Sequence, residues 1–154
     1  MTHFQHSLAI AAAPATVFAA LSTIEGLQGW WTEDCDGSTR SDGIIHFRFG
    51  ACYKDMRVLR MVPQREVHWR CTRAHVEAPQ VERSDEWVGT EPVFVLAPDE
   101  QGGTILHFEH LGLLPALQCF GVCSAGWRQF LASLKQYAET GSGNPYLIER
   151  RTAA

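Results

Sequence analysis

The chain has no run of like charge and no excess of positive charge. Its 13 Lys and Arg stand against 17 Asp and Glu, a net charge of −4, and the pI is near 5.9. A surface that grips phosphates needs a basic excess, so the charge disfavours nucleic acid and no such partner is expected. Long hydrophobic runs are also missing. The longest apolar stretch ahead of the first expected helix, Leu8 to Val17, holds five alanines, a proline and a threonine, far short of the roughly 20 residues of a membrane span. No membrane partner is expected. Met1 to His6 lacks a basic region followed by an apolar core, so no secretory leader is read there. The five cysteines (Cys35, Cys52, Cys71, Cys119, Cys123) are odd in number and irregularly spaced. Without an export signal they read as reduced thiols in a cytoplasmic protein. Cys119 and Cys123 lie four apart, but no Cys-x-x-Cys or His-x-x-x-His accompanies them, so no metal site is expected. The nucleophile elbow, the phosphate-cradling glycine loop and the dinucleotide fingerprint are all missing. No cofactor and no complete catalytic constellation are expected.

What is present is an ordinary globular balance, 45% hydrophobic and 19% charged, over a length that suits one domain. The expectation is a single domain over 1–154 with 143–154 as a C-terminal tail. Phe4, Leu8 and Ile10 share the even phase of a strand from His3 to Ile10. Pro14 suits a first helical turn, where its missing N–H costs nothing, and Val17, Leu21 and Ile24 follow at helical spacing. Gly26 and Gly29 punctuate the next segment, and Trp30-Trp31 closes a pair of short helices. Thr32 to Gly43 reads as a polar loop.

A run of strands comes next. Ile45, Phe47 and Phe49 alternate with His46 and Arg48. In Tyr53 to Val62, Met56 and Val58 are in phase. Val67, Trp69 and Cys71 alternate with His68 and Arg70. Arg73 to Glu86 is polar and carries Pro79, so it reads as a loop. Thr90 to Leu96 is a strand in which Pro92 suggests an edge or a bulge. Asp99 to Gly103 makes a hairpin turn into Thr104 to His110. Finally Leu117, Phe120, Cys123, Trp127, Phe130, Leu131, Leu134 and Tyr137 form one stripe of a helix over Pro115 to Thr140, capped by Gly141. At about 1.5 Å per residue such a helix is about 39 Å long. Only a curved sheet covers it. Grouped strands with helices before and after imply an α+β fold with an antiparallel sheet of about six to seven strands.

The ordered set Ala13-Pro14-Ala15-Thr16-Val17-Phe18, Gly29-Trp30-Trp31-Thr32, Met56-Arg57-Val58, Val67-His68-Trp69-Arg70-Cys71, Gly102 to Gly112 and Gly126-Trp127-Arg128-Gln129-Phe130 resembles the START/polyketide-cyclase/birch-pollen-allergen superfamily, SRPBCC. Within it the chain is most similar to bacterial proteins named for the activator of heat-shock-protein ATPase. The resemblance implies a helix-grip fold with a cavity between the sheet and the C-terminal helix. It does not imply one function, because the superfamily hosts carriers, cyclases and chaperone partners.

The leading expectation is therefore an apolar or aromatic small molecule bound in that cavity. The candidate lining residues are Trp30, Trp31, Phe47, Phe49, Met56, Trp69, Thr90, Phe94, Phe108, His110, Phe120, Cys123 and Trp127. His110 shares the inward phase of Leu106 and Phe108; it reads first as a histidine bonded to backbone near Leu111-Gly112, and second as an acid, base or ligand contact. Asp34 and Asp36 are candidates for the mouth, though turn formation is their ordinary reading. The mouth itself is expected between Trp30-Trp31, the Arg73 to Glu86 loop and the first half of the long helix, where Gly121 and Gly126 each cost about 1 kcal/mol of helix propensity. Two other functions compete: a cyclase or lyase on an aromatic or polyketide-like substrate, using His110, and an interaction module of the chaperone-ATPase-activator kind. A homodimer is a further expectation for the assembly.

Overall fold

The structure, a computed structural model, describes residues 2–148. Its elements follow the expected order: β1 (Phe4–Ile10), α1 (Pro14–Ser22), α2 (Ile24–Trp30), β2 (Cys35–Gly37), β3 (Ile44–Phe49), β4 (Cys52–Val62), β5 (Glu66–His75), β6 (Glu91–Pro98), β7 (Thr104–Leu111) and α3 (Phe120–Thr140). The strands form one seven-stranded sheet in the order β1-β7-β6-β5-β4-β3-β2, antiparallel throughout. The sheet curves around α3, an α+β helix-grip fold.

The inner face of the sheet carries the residues whose phase marked them. Ile45, Phe47, Met56, Val58, Val67, Trp69, Phe94, Leu106 and Phe108 are all fully buried. The opposite phase forms an outer face of cross-strand ion pairs. There His46 meets Asp55 at 2.9 Å, His68 meets Glu91 at 2.6 Å, and Arg48 holds both Asp34 and Asp36 at 3.0–3.1 Å. Asp34 and Asp36 thus serve the outer face rather than the cavity mouth.

Five local expectations are corrected. Gly26 and Gly29 do not interrupt a helix. They lie inside α2, where a Cβ on Gly26 would strike the Ala20 backbone and one on Gly29 the Tyr137 ring. The glycines let α2 lie flat on α1 and α3. The expected loop from Thr32 to Gly43 contains the three-residue β2, too short and polar to show alternation. Strand β5 continues through Arg73 to His75. Pro92 is not at an edge, since β6 lies between β5 and β7. The β5–β6 ladder covers only Glu66–His68 with Val93–Val95, and contact resumes when Cys71 N–H donates to the Thr90 carbonyl at 2.9 Å. The residue with no N–H sits in that gap.

The fifth correction concerns α3, which has 21 residues and begins at Phe120 rather than Pro115. Residues 114–120 make tight turns instead, with Leu117 N–H on Leu114 O and Phe120 N–H on Leu117 O. The free N–H groups of Gln118 and Cys119 donate to the Glu86 carboxylate at 3.1 and 3.0 Å. A carboxylate at a helix start satisfies orphan donors and suits the helix dipole. In return the Gln118 side-chain oxygen accepts from the Glu82 and Arg83 N–H groups at 2.8 and 2.9 Å. The segment after β5 is therefore clamped onto the start of α3. At the other end Gly141 caps α3 in the left-handed conformation, φ +86°.

Candidate pocket beside the long helix

One end of the space between sheet and α3 is left open. A pocket of about 230 Å³ lies there. Trp31 reaches it from the end of α2. Phe49, Cys52 and Lys54 come from the β3–β4 hairpin, and Val76, Glu77 and Trp87 from the segment after β5. Val122, Cys123, Gly126, Trp127 and Phe130 come from α3, and Tyr146 from the C-terminal segment. These are the surroundings expected for the mouth, apart from Tyr146 and the β3–β4 hairpin.

Each wall is held in place. Trp31 stacks parallel to Trp69 at 5.9 Å and leans on Trp127 at 5.0 Å. Trp87 lies parallel to Trp127 at 5.9 Å. Tyr146 is fixed by main-chain bonds on both sides: its N–H donates to Trp31 O at 2.8 Å and its carbonyl accepts from Glu33 N–H at 2.9 Å. Its ring meets Phe49 edge-on at 5.9 Å. Around Gly126 there is space rather than close packing, because a Cβ built there meets no atom within 4 Å. The same holds at Gly121, which does not line the pocket.

Of the residues expected to line a cavity, Trp31, Phe49, Cys123 and Trp127 do so. Trp30, Phe47, Met56, Trp69, Phe94 and Phe108 are fully buried core outside the pocket wall, and Phe120 packs against that core. Thr90 and His110 are buried behind the wall. The His110 ring is occupied on both sides. Trp127 Nε1–H donates to Nδ1 at 2.9 Å, Nε2–H donates to Thr90 Oγ1 at 2.7 Å, and the Thr90 hydroxyl donates to the Trp87 carbonyl at 2.6 Å. The partners are thus side chains, not the Leu111-Gly112 backbone. Burial first, and then the positive charge of Lys54, push the His110 pKa down to about 3. With both nitrogens engaged and no carboxylate bonded to it, His110 is a structural strut that orients Trp127. It is not an available acid or base.

Sequence reasoning missed Lys54. Its phase with Met56 and Val58 was a visible signal, since 54, 56 and 58 alternate alike. The Nζ lies 4.6 Å from the Phe49 ring centre and 4.4 Å from that of Trp87, a cation between two aromatic rings. Lys54 is half-buried, and that loss of water draws its pKa below the usual lysine range. Cys123 is the neighbouring soft group: its Sγ accepts from Trp87 Nε1–H at 3.1 Å. Bonding to Cys119, the Trp87 N–H and the charge of Lys54 hold the Cys123 thiol below its ordinary range against the effect of burial. Cys119 is displaced upward by the same bond. Among the described residues no group of three or more His, Cys, Asp or Glu has the arrangement of a metal site.

Residues 11–139 match the model of the family described as Activator of Hsp90 ATPase homolog 1-like protein. Among solved structures, the chain is similar to the Aha1 dimer from Colwellia psychrerythraea, determined in solution. The identity is 31%, with 93% of this chain and all of that chain covered and a TM-score of 0.77. Protein MLL2253 from Mesorhizobium loti is 23% identical over 86% of this chain and 93% of its own, with a TM-score of 0.71. DynU16, a protein of the dynemicin biosynthetic locus, shares the fold at 16% identity and a TM-score of 0.71; 93% of this chain covers 49% of that one. No curated protein gives a significant match.

Proposed function

The chain belongs to the Activator of Hsp90 ATPase homolog 1-like family, and from that premise we propose that it binds an apolar or aromatic small molecule in the pocket beside α3. The observation that carries this reading is an opening of about 230 Å³ walled by Trp31, Phe49, Trp87, Trp127 and Phe130, next to an interior otherwise closed by buried side chains. An apolar hollow with a few polar groups is the usual form of a ligand site. The volume is below the roughly 300–1,000 Å³ of sites for drug-sized molecules, so the occupant is a small one, of one or two rings. Burying it gains about 25 cal/mol per Å² of apolar area, before the cost of ordering.

The test is a titration with benzoic, cinnamic and naphthoic acids and their neutral amides. Tryptophan fluorescence and melting temperature report binding. Quenching that saturates, lost on Gly126→Leu, is the expected result. If no compound changes either signal at millimolar concentration, the proposal fails. The assembly to test beside it is a homodimer, since the Colwellia Aha1 was solved as one. Light scattering after size exclusion reads it directly, and a monomer mass across the concentration range removes it.

A further inference from the structure

Among the described residues Lys54 is the one cationic side chain in the pocket wall. Strand β4 delivers it there, two residues before the fully buried Met56. Its ammonium lies between the Phe49 and Trp87 rings and makes no hydrogen bond or ion pair among the described residues. The carboxylates near it are already engaged elsewhere. Asp55 faces the outer side of the sheet, with His46 at 2.9 Å and Arg73 at 3.8 Å. Glu77, on the pocket wall, is paired with His75 at 2.8 Å. Cys52 and Cys123 share the wall with it, and the Cys123 Sγ already accepts from Trp87 Nε1–H.

A cation drawn out of water costs free energy unless an anion or good acceptors meet it. Two aromatic rings return part of that cost. A ligand anion would return more, because a charge-assisted hydrogen bond is about twice as strong as a neutral one. The aromatic wall says what the rest of the ligand must be. Trp31 and Trp87 both pack on Trp127, at 5.0 and 5.9 Å, and the continuous aromatic wall they present to the pocket with Phe49 and Phe130 suits a planar apolar body lying against it.

We infer that the pocket selects planar aromatic monoanions, a ring system bearing a carboxylate or phenolate, with Lys54 as the counter-ion and the tryptophans as the stacking faces. This rests on the pocket being a ligand site and adds the charge of its occupant.

The experiment compares each acid with its own amide: benzoate with benzamide, cinnamate with cinnamamide, 2-naphthoate with 2-naphthamide. Calorimetry or fluorescence at pH 7.5 gives both dissociation constants on the wild-type protein. The acid of the best-fitting pair is expected to bind about tenfold or more tighter than its amide, the scale of one hydrogen bond to a charged group. Lys54→Met and Lys54→Gln, measured side by side with their melting temperatures, should bring that ratio to about one while leaving the amide's affinity within about threefold. Equal binding of acid and amide by the wild type overturns the choice of an anion and leaves the pocket as a neutral site. A preference that survives both Lys54 substitutions overturns the role of Lys54. If neither acids nor amides bind, the pocket is not a site for this class of molecule, and the inference falls with the reading beneath it.

Discussion

The two ends of the interior use the same residue types to different ends. At the closed end Trp30, Phe47, Trp69, Phe94 and Phe108 are fully buried. There α1 packs on β5 and β6, bringing Val17 and Leu21 into the core, while α3 contributes Leu131 and Leu134. At the other end Trp31, Phe49, Trp87 and Trp127 surround a pocket, and α3 offers Gly126 and Cys123 instead of leucine. What separates core from pocket is the size of the residue opposite, not the aromatic itself. Polar groups follow the same division. At the closed end Trp30 Nε1–H donates to Ala20 O at 2.8 Å, and behind the pocket wall His110 is bonded at both nitrogens. Lys54, at the open end, has aromatic faces and, among the described residues, no hydrogen-bond or ion-pair partner. Two groups break the pattern: among the described residues the indole N–H of Trp69 and the Ser124 hydroxyl are buried without a partner.

Trp127 joins the two ends, so its removal should have the largest effect. Trp127→Ala is expected to cost about 3–5 kcal/mol in urea unfolding, since it empties a large volume packed 4.3 Å from Phe108 and strips His110 of its donor. A loss below about 1 kcal/mol would mean that the ring faces an already open space and that the closed end does not depend on it.

Acid should weaken the support behind the pocket wall next. His110 is held neutral in the folded protein, its pKa lowered from 6.5 to about 3, so the unfolded chain takes the proton first. This contribution to stability is complete above pH 6.5 and falls by about 1.4 kcal/mol per pH unit from there toward pH 3. Nitrogen-15 spectra of the imidazole should keep the neutral Nε2–H form down to pH 5. A His110 resonance that titrates near pH 6.5 would show that the Trp127–His110–Thr90 chain is not formed.

Gly126 sharpens the contrast at the open end with a small effect. A side chain there meets free space, so Gly126→Ala should raise stability by about 0.5–1 kcal/mol, the gain in helix propensity. Gly126→Leu should also fold, and fill the pocket. A marked fall in melting temperature for both would mean that Gly126 is needed for close packing after all.

Much of this was legible before any coordinates. Strand phase told inward from outward for Phe47, Trp69, Phe108 and His110, and outward for His46, Arg48 and His68, because alternation depends only on the chain itself. It could not say which inward aromatics would be covered, since that depends on residues far away in sequence. The start of α3 was misjudged for the same reason. The apolar spacing continues back to Leu117, but Glu86, more than 30 residues earlier, takes the N–H groups of Gln118 and Cys119. Lys54 shares the phase of Met56 and Val58, but phase alone does not tell that a lysine will be held between Phe49 and Trp87. Trp87 and Tyr146 reach the pocket from segments with no periodicity to read.

The five indole N–H resonances test the division between closed core and open pocket most directly. In a titration of isotope-labelled protein with 2-naphthoate and 2-naphthamide, Trp31, Trp87 and Trp127 should shift and saturate together. Trp30 and Trp69, in the filled core, should remain within about a tenth of that change. Equal movement of all five, or movement of Trp30 and Trp69 alone, would contradict the division and place any binding elsewhere.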